Sequence, residues 1–178
     1  MEKLASGTLT LLILLAFACN DQKQGKVTPV ATPNQPAARY LEEGTTNYFK
    51  VWSYMDTLLY EKLTSSTFCR NVNGSSVSQN SEELLKTVNF WHRALPDLKI
   101  SAEDIVVVGN KTYVTWTLTG TNTGMFGDNP PTGKKGRTQG FSVLTFDDNG
   151  KLMQEAAYFD VFTLMTDWGY SVVPPIMK

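Results

Sequence analysis

Residues 138–162 read TQGFSVLTFDDNGKLMQEAAYFDVF, and this stretch decides the fold. The segments on either side of Asp147-Asp148-Asn149-Gly150 are rich in β-branched and aromatic residues, which suit a pleated, half-buried surface. The connector ends in Asn-Gly, a dipeptide that tolerates the positive φ angles of a tight primed turn. One long hairpin is therefore expected, with its second strand running from Lys151 to Phe162. Side chains alternate along a strand. Leu152, Gln154, Ala156, Tyr158, Asp160 and Phe162 then share one face, and Met153, Glu155, Ala157, Phe159 and Val161 share the other. Neither face is plainly polar, so both are expected to be covered, one by helices and one by a second sheet or subunit. Asp160 stands out as a carboxylate flanked by Tyr158 and Phe162 on its own face.

Upstream of the hairpin the period is also two. Lys99–Val108 and Lys111–Thr123 read as strands joined at Gly109-Asn110, and 124–137 is a loop carrying glycines and prolines. Before Pro96 the period is helical. Leu41, Tyr48, Trp52, Met55, Leu59 and Leu63 form an apolar stripe, and Asp56 is placed to cap a second helix, giving helices near 39–54 and 57–64. Residues 67–72 suit a short strand and 73–76 a turn. Asn80 or Ser81 caps a third helix whose first turn holds Glu82 and Glu83, where the helix dipole favours acids. Helices first and long strands afterwards predict an α+β domain, a curved antiparallel sheet with helices packed on one face.

The chain has 178 residues, a hydrophobic share of 42% and a formal net charge of −1. That suits one domain and gives no electrostatic basis for binding nucleic acid, which calls for a basic stripe. Residues 1–18 have the form of a signal peptide: Lys3, an apolar run over Leu9–Phe17, and small residues at its end. The run is shorter than the roughly 20 apolar residues of a membrane-spanning helix. Cys19 directly after it resembles the lipidated cysteine of a bacterial lipobox, which implies a lipoprotein in the cell envelope, anchored to the membrane through Cys19. Residues 19–36, with prolines at 29, 33 and 36, read as a flexible tether, and 37–178 as the folded domain. With Cys19 acylated, Cys69 is the remaining thiol and no internal disulfide forms. His92 on the third helix and Cys69 are read as structural.

The order of several pieces carries a family resemblance. They are Ala94-Leu95-Pro96-Asp97, Gly120-Thr121-Asn122-Thr123-Gly124, Pro130-Pro131-Thr132-Gly133-Lys134, Gly150-Lys151-Leu152 leading to Phe159-Asp160, and the closing Leu164–Gly169. Over Phe90–Gly169 the chain resembles the SnoaL-like polyketide cyclases, or ester cyclases, of the nuclear transport factor 2-like superfamily. The resemblance implies a cone-shaped curved antiparallel sheet wrapped by three N-terminal helices around an apolar cavity, often as a homodimer. It implies cofactor-independent, metal-free chemistry on a small hydrophobic or conjugated carbonyl compound, with Asp160 at the position of the family's acid/base aspartate.

In that setting Asn122, Trp116, Ala156, Tyr158 and Phe162 are expected to line the ligand site, and Pro130–Lys134 to form a lid. An aspartate between aromatic side chains is desolvated, which raises its pKa above about 3.9. The chain departs from the family at four positions: Asn122 stands for a histidine, Ala156 for a tryptophan, and Gln154 and Glu155 for an acid and a histidine. An enzyme using Asp160 and a binding or interaction module without chemistry are therefore both consistent with the sequence.

Overall fold

The computed structural model describes residues 35–171. The expected signal peptide, Cys19 and most of the expected tether lie outside them. Among the described residues no helix is long and apolar enough to cross a membrane.

Three helices precede most of the sheet. Helix α1 (Gln35–Tyr54) ends where Met55 turns into the left-handed region at φ 54, and α2 (Thr57–Leu63) starts under the Asp56 cap, whose side chain accepts the Leu59 N–H. Strands β1 (Thr64–Val72) and β2 (Ser75–Ser78) follow, then α3 (Ser81–Ala94), capped by Asn80. Strands β3 (Lys99–Val108), β4 (Lys111–Thr121), β5 (Lys135–Phe146) and β6 (Leu152–Phe159) lead to the short helix α4 (Val161–Asp167). The expected α+β architecture is present. The sheet has six strands in the order β2-β1-β6-β5-β4-β3, antiparallel except where β1 runs parallel to β6.

The apolar stripe of α1 explains its docking. Thr45, Tyr48 and Trp52 follow one another at helical spacing, and all are buried. Helix α1 packs on β3, and two side chains fix its register: the Thr45 hydroxyl meets that of Thr112 at 2.7 Å, and Ser53 Oγ both accepts from Ile100 N and donates to Ile100 O. The sheet's inner face presents Val114, Trp116 and Leu118 from β4 and Ser142, Leu144 and Phe146 from β5, all buried. Each large apolar side chain so buried contributes about 1.5–3 kcal/mol.

The hairpin that organises the chain is present, with three corrections. First, its turn is not a two-residue primed one. Gly150 N donates to Asp147 O at 2.9 Å, and only Gly150 has positive φ; Asp147 Oδ1 accepts the N–H groups of Asn149 and Lys151. The primed turn lies instead at Asn73-Gly74, where φ is 49 and 83 and Val72 pairs directly with Ser75. Of the turn expected over 73–76, Ser75 and Ser76 instead open strand β2.

Second, a bulge near Met153 inserts one residue into β6: Phe146 faces Leu152, but Thr145 faces Gln154. Period-two counting from Leu152 consequently inverts every later assignment. Leu152 is inward, but beyond the bulge Glu155, Ala157 and Phe159 face the interior, while Ala156 and Tyr158 face outward. Third, β6 ends at Phe159, because Asp160 begins a helix.

Candidate functional site

The interior of the cone is where this fold brings polar chemistry together. From the inner face of β6, Glu155 extends into the core and is 1% exposed. Its Oε2 accepts from Tyr48 Oη of α1 at 2.6 Å and from Arg70 Nε of β1 at 2.6 Å; its Oε1 accepts from Ser142 Oγ of β5 at 2.8 Å. Ser142 Oγ in turn accepts from Trp116 Nε1 at 2.9 Å. Four elements thus converge on one carboxylate. Arg70, 7% exposed, lies over the Trp52 ring at 4.7 Å. Burial pulls the Arg70 pKa down, but Glu155 and Tyr48 beside it more than offset this and the net shift is upward. Burial first, and Glu155 second, push the Tyr48 phenol well above its ordinary value, so it stays a neutral donor.

This network forms one wall of an enclosed pocket. The other walls are apolar, chiefly Trp52, Trp91, Trp116 and Phe159, and the free space measures about 20 Å³. Aromatic rings continue from it to the loop at 122–134: Trp116 to Phe159 at 5.4 Å, Phe159 to Trp91 at 6.4 Å, and Trp91 to Phe126 at 5.4 Å. Gly140 lies against Trp116, and a Cβ there would sit 2.2 Å from the indole, so the pocket wall depends on that glycine.

The sequence-predicted residues are dispersed. Trp116 is in the pocket. Tyr158 is 49% exposed and Phe162 55%, both outside it, and Ala156 is on the outer face. Asn122 is buried but fully engaged in its own loop. Its Oδ1 accepts from Thr132 N, Thr132 Oγ1 and Tyr170 Oη, and its Nδ2 donates to Gly124 O. It holds the loop together and does not reach the pocket. His92 Nε2 sits 2.7 Å from Trp52 O, and Cys69 is half-buried.

Asp160 caps α4. Its Oδ1 accepts from Phe162 N at 2.8 Å and Thr163 N at 3.1 Å, and its Oδ2 accepts the Thr163 hydroxyl. The expected upward pKa shift is corrected: those bonds, led by the Thr163 hydroxyl, hold the exposed carboxyl below its usual range. It borders an open groove of about 420 Å³ with Arg137, Thr138, Gln139, Thr163 and Asp167, where Asp167 already accepts from Arg137 N.

The sequence reading missed Tyr48, Arg70 and Glu155 as a unit. A signal was available in β1, where Arg70 shares its strand face with Phe68. A buried arginine needs a buried acid, and Glu155 is the acid on the strand beside it. Among the described residues, no group of three or more His, Cys, Asp or Glu side chains is arranged to hold a metal ion.

The family model for SnoaL-like polyketide cyclase matches residues 44–168. Solved structures give the same fold. A candidate SnoaL-like polyketide cyclase from Jannaschia sp. CCS1 is 19% identical, with a TM-score of 0.69, and the match covers 82% of this chain and 100% of that one. AclR, a candidate hydroxylase from Streptomyces galilaeus, is 21% identical over 74% of this chain and 97% of its own, with a TM-score of 0.66. A Catenulispora acidiphila protein with a ketosteroid isomerase-like fold, in complex with trimethylamine, is 10% identical over 74% and 98%, with a TM-score of 0.61. No curated protein matches the chain.

Proposed function

The chain belongs to the SnoaL-like polyketide cyclase family, and from that premise we propose that it is a binding protein for a small, flat, hydrophobic or conjugated compound carrying an oxygen acceptor. The compound enters the pocket walled by Trp52, Trp91, Trp116 and Phe159. The observation that carries this reading is Arg70: a buried guanidinium on the pocket wall that uses Nε for Glu155 and has further N–H groups to offer. A mostly apolar pocket with a few convergent polar groups is how small-molecule sites are built. A free volume of about 20 Å³ takes a water, so a ring enters by displacing part of the wall; Trp91 and Phe159, both only half-buried, are the parts that give.

Asp160 does no acid/base work in this reading, because both its oxygens are committed to the start of α4. Titration with acetophenone, followed by tryptophan fluorescence, tests the proposal. Quenching that saturates in the wild type and vanishes in Leu118→Trp, which fills the pocket, is expected. Equal binding by that variant would overturn it. The open groove beside Asp160 supports the second reading, proton-transfer catalysis. That reading predicts a turnover of conjugated ketones or esters that falls about 100-fold or more in Asp160→Asn.

A further inference from the structure

We infer that Glu155 makes the pocket selective for an uncharged oxygen acceptor, so that a conjugated ketone, aldehyde or ester is taken and a carboxylate of the same shape is refused. The inference rests on the interior being the ligand site. A guanidinium can donate five hydrogen bonds. Arg70 donates one through Nε to Glu155, and the Tyr48 oxygen beside it further supports its charge. No other acceptor for its N–H groups is found among the described residues.

The remaining donors belong to a side chain that is 7% exposed and borders the pocket. Left alone, such donors attract any oxygen, charged or not. Glu155 removes the ambiguity. Its carboxylate cancels the Arg70 charge, Tyr48 remains neutral, and every other side chain bordering the pocket is apolar or aromatic. The wall therefore has donors to give but no net charge to give them with. A carbonyl oxygen is satisfied there at no electrostatic cost. A carboxylate would bring a second negative charge near Glu155 into a water-poor space, with one cation to share between them.

The chemistry predicts the consequence of removing the counter-charge. Glutamine at 155 retains an oxygen for Tyr48 or Arg70 but leaves the guanidinium charge uncompensated, so the preference of the pocket should invert toward anions.

Acetophenone, benzoate and ethylbenzene share one ring and a similar outline but differ in the polar end, and calorimetric titration of the full chain at neutral pH compares them. The wild type should bind acetophenone more tightly than benzoate by at least about 10-fold, the least expected for an unpaired buried charge. It should also bind acetophenone more tightly than ethylbenzene. Glu155→Gln should bind benzoate more tightly than acetophenone. Because that variant leaves a buried charge unpaired and can fail to fold, the double variant Arg70→Gln/Glu155→Gln serves as the second test: it should bind ethylbenzene and lose the advantage of acetophenone over it. Benzoate binding the wild type as tightly as acetophenone would overturn the selectivity while leaving the pocket as a binding site. So would a double variant that keeps the acetophenone advantage. Binding of none of the three would overturn the pocket reading and the selectivity with it.

Discussion

The Asp160 carboxylate accepts two backbone N–H groups and one hydroxyl at a helix start, and this fixes the sign of its pH dependence. A folded pKa below the unfolded one contributes stability that is present above the ordinary carboxylate range and lost as pH falls through the folded value. Asp160→Ala should therefore lower Tm at neutral pH, and its deficit relative to wild type should shrink in melts taken at progressively more acidic pH. Asp160→Asn should stay close to wild type, since asparagine caps helices nearly as well. A rise in Tm in either variant would contradict the capping role. Glu155 differs in every respect: it is buried, paired with Arg70 of β1, and bound from two further elements, α1 through Tyr48 and β5 through Ser142. It acts as the counter-charge of the pocket.

At the scale of elements, β6 shows how much the sequence carries. Its existence, its pairing with β5 and the capped helices before it are all legible in period and turn chemistry. The identity of its inner face is not, because one inserted residue near Met153 reverses the alternation and nothing in the composition of LMQEAAYF marks the insertion. Tyr158 and Phe162 fall on the expected cavity face by that unbroken count, and Asp160 falls there by the family resemblance as well; Trp116, on a strand whose own alternation is unbroken, lies in the pocket. The two Asn-Gly pairs make the same point. Local chemistry permits the primed turn at both, but Asp147 offers the backbone a competing acceptor and only Asn73-Gly74 adopts it. Strand β5 supplies a test of the pocket wall. Gly140→Ala should force the Trp116 indole out of place, costing about 1–3 kcal/mol in denaturant melts. An unchanged midpoint would mean that the wall is not packed as described.

The outer face of the sheet carries Val106, Tyr113, Phe141 and Tyr158, with the Tyr113 and Phe141 rings 6.3 Å apart; Phe141 and Tyr158 are register partners. This is the face left open once the bulge turns Glu155, Ala157 and Phe159 inward. We propose a second copy of the chain as its occupant and Cys19 as the lipid-modified end that holds the assembly at the envelope membrane. Cys19→Ser should release the protein from the membrane fraction, and light scattering of the released chain should give a dimer that Phe141→Lys converts to monomer. A wild-type monomer would contradict the dimer, and a chain that was never in the membrane fraction would contradict the anchor. The binding claim has its most direct test in a crystal structure determined with acetophenone. The ring is expected between Trp116 and Phe159, with the carbonyl oxygen on Arg70 and Glu155 still paired behind it. Ligand in the open groove beside Asp160, with the interior unchanged, would contradict it.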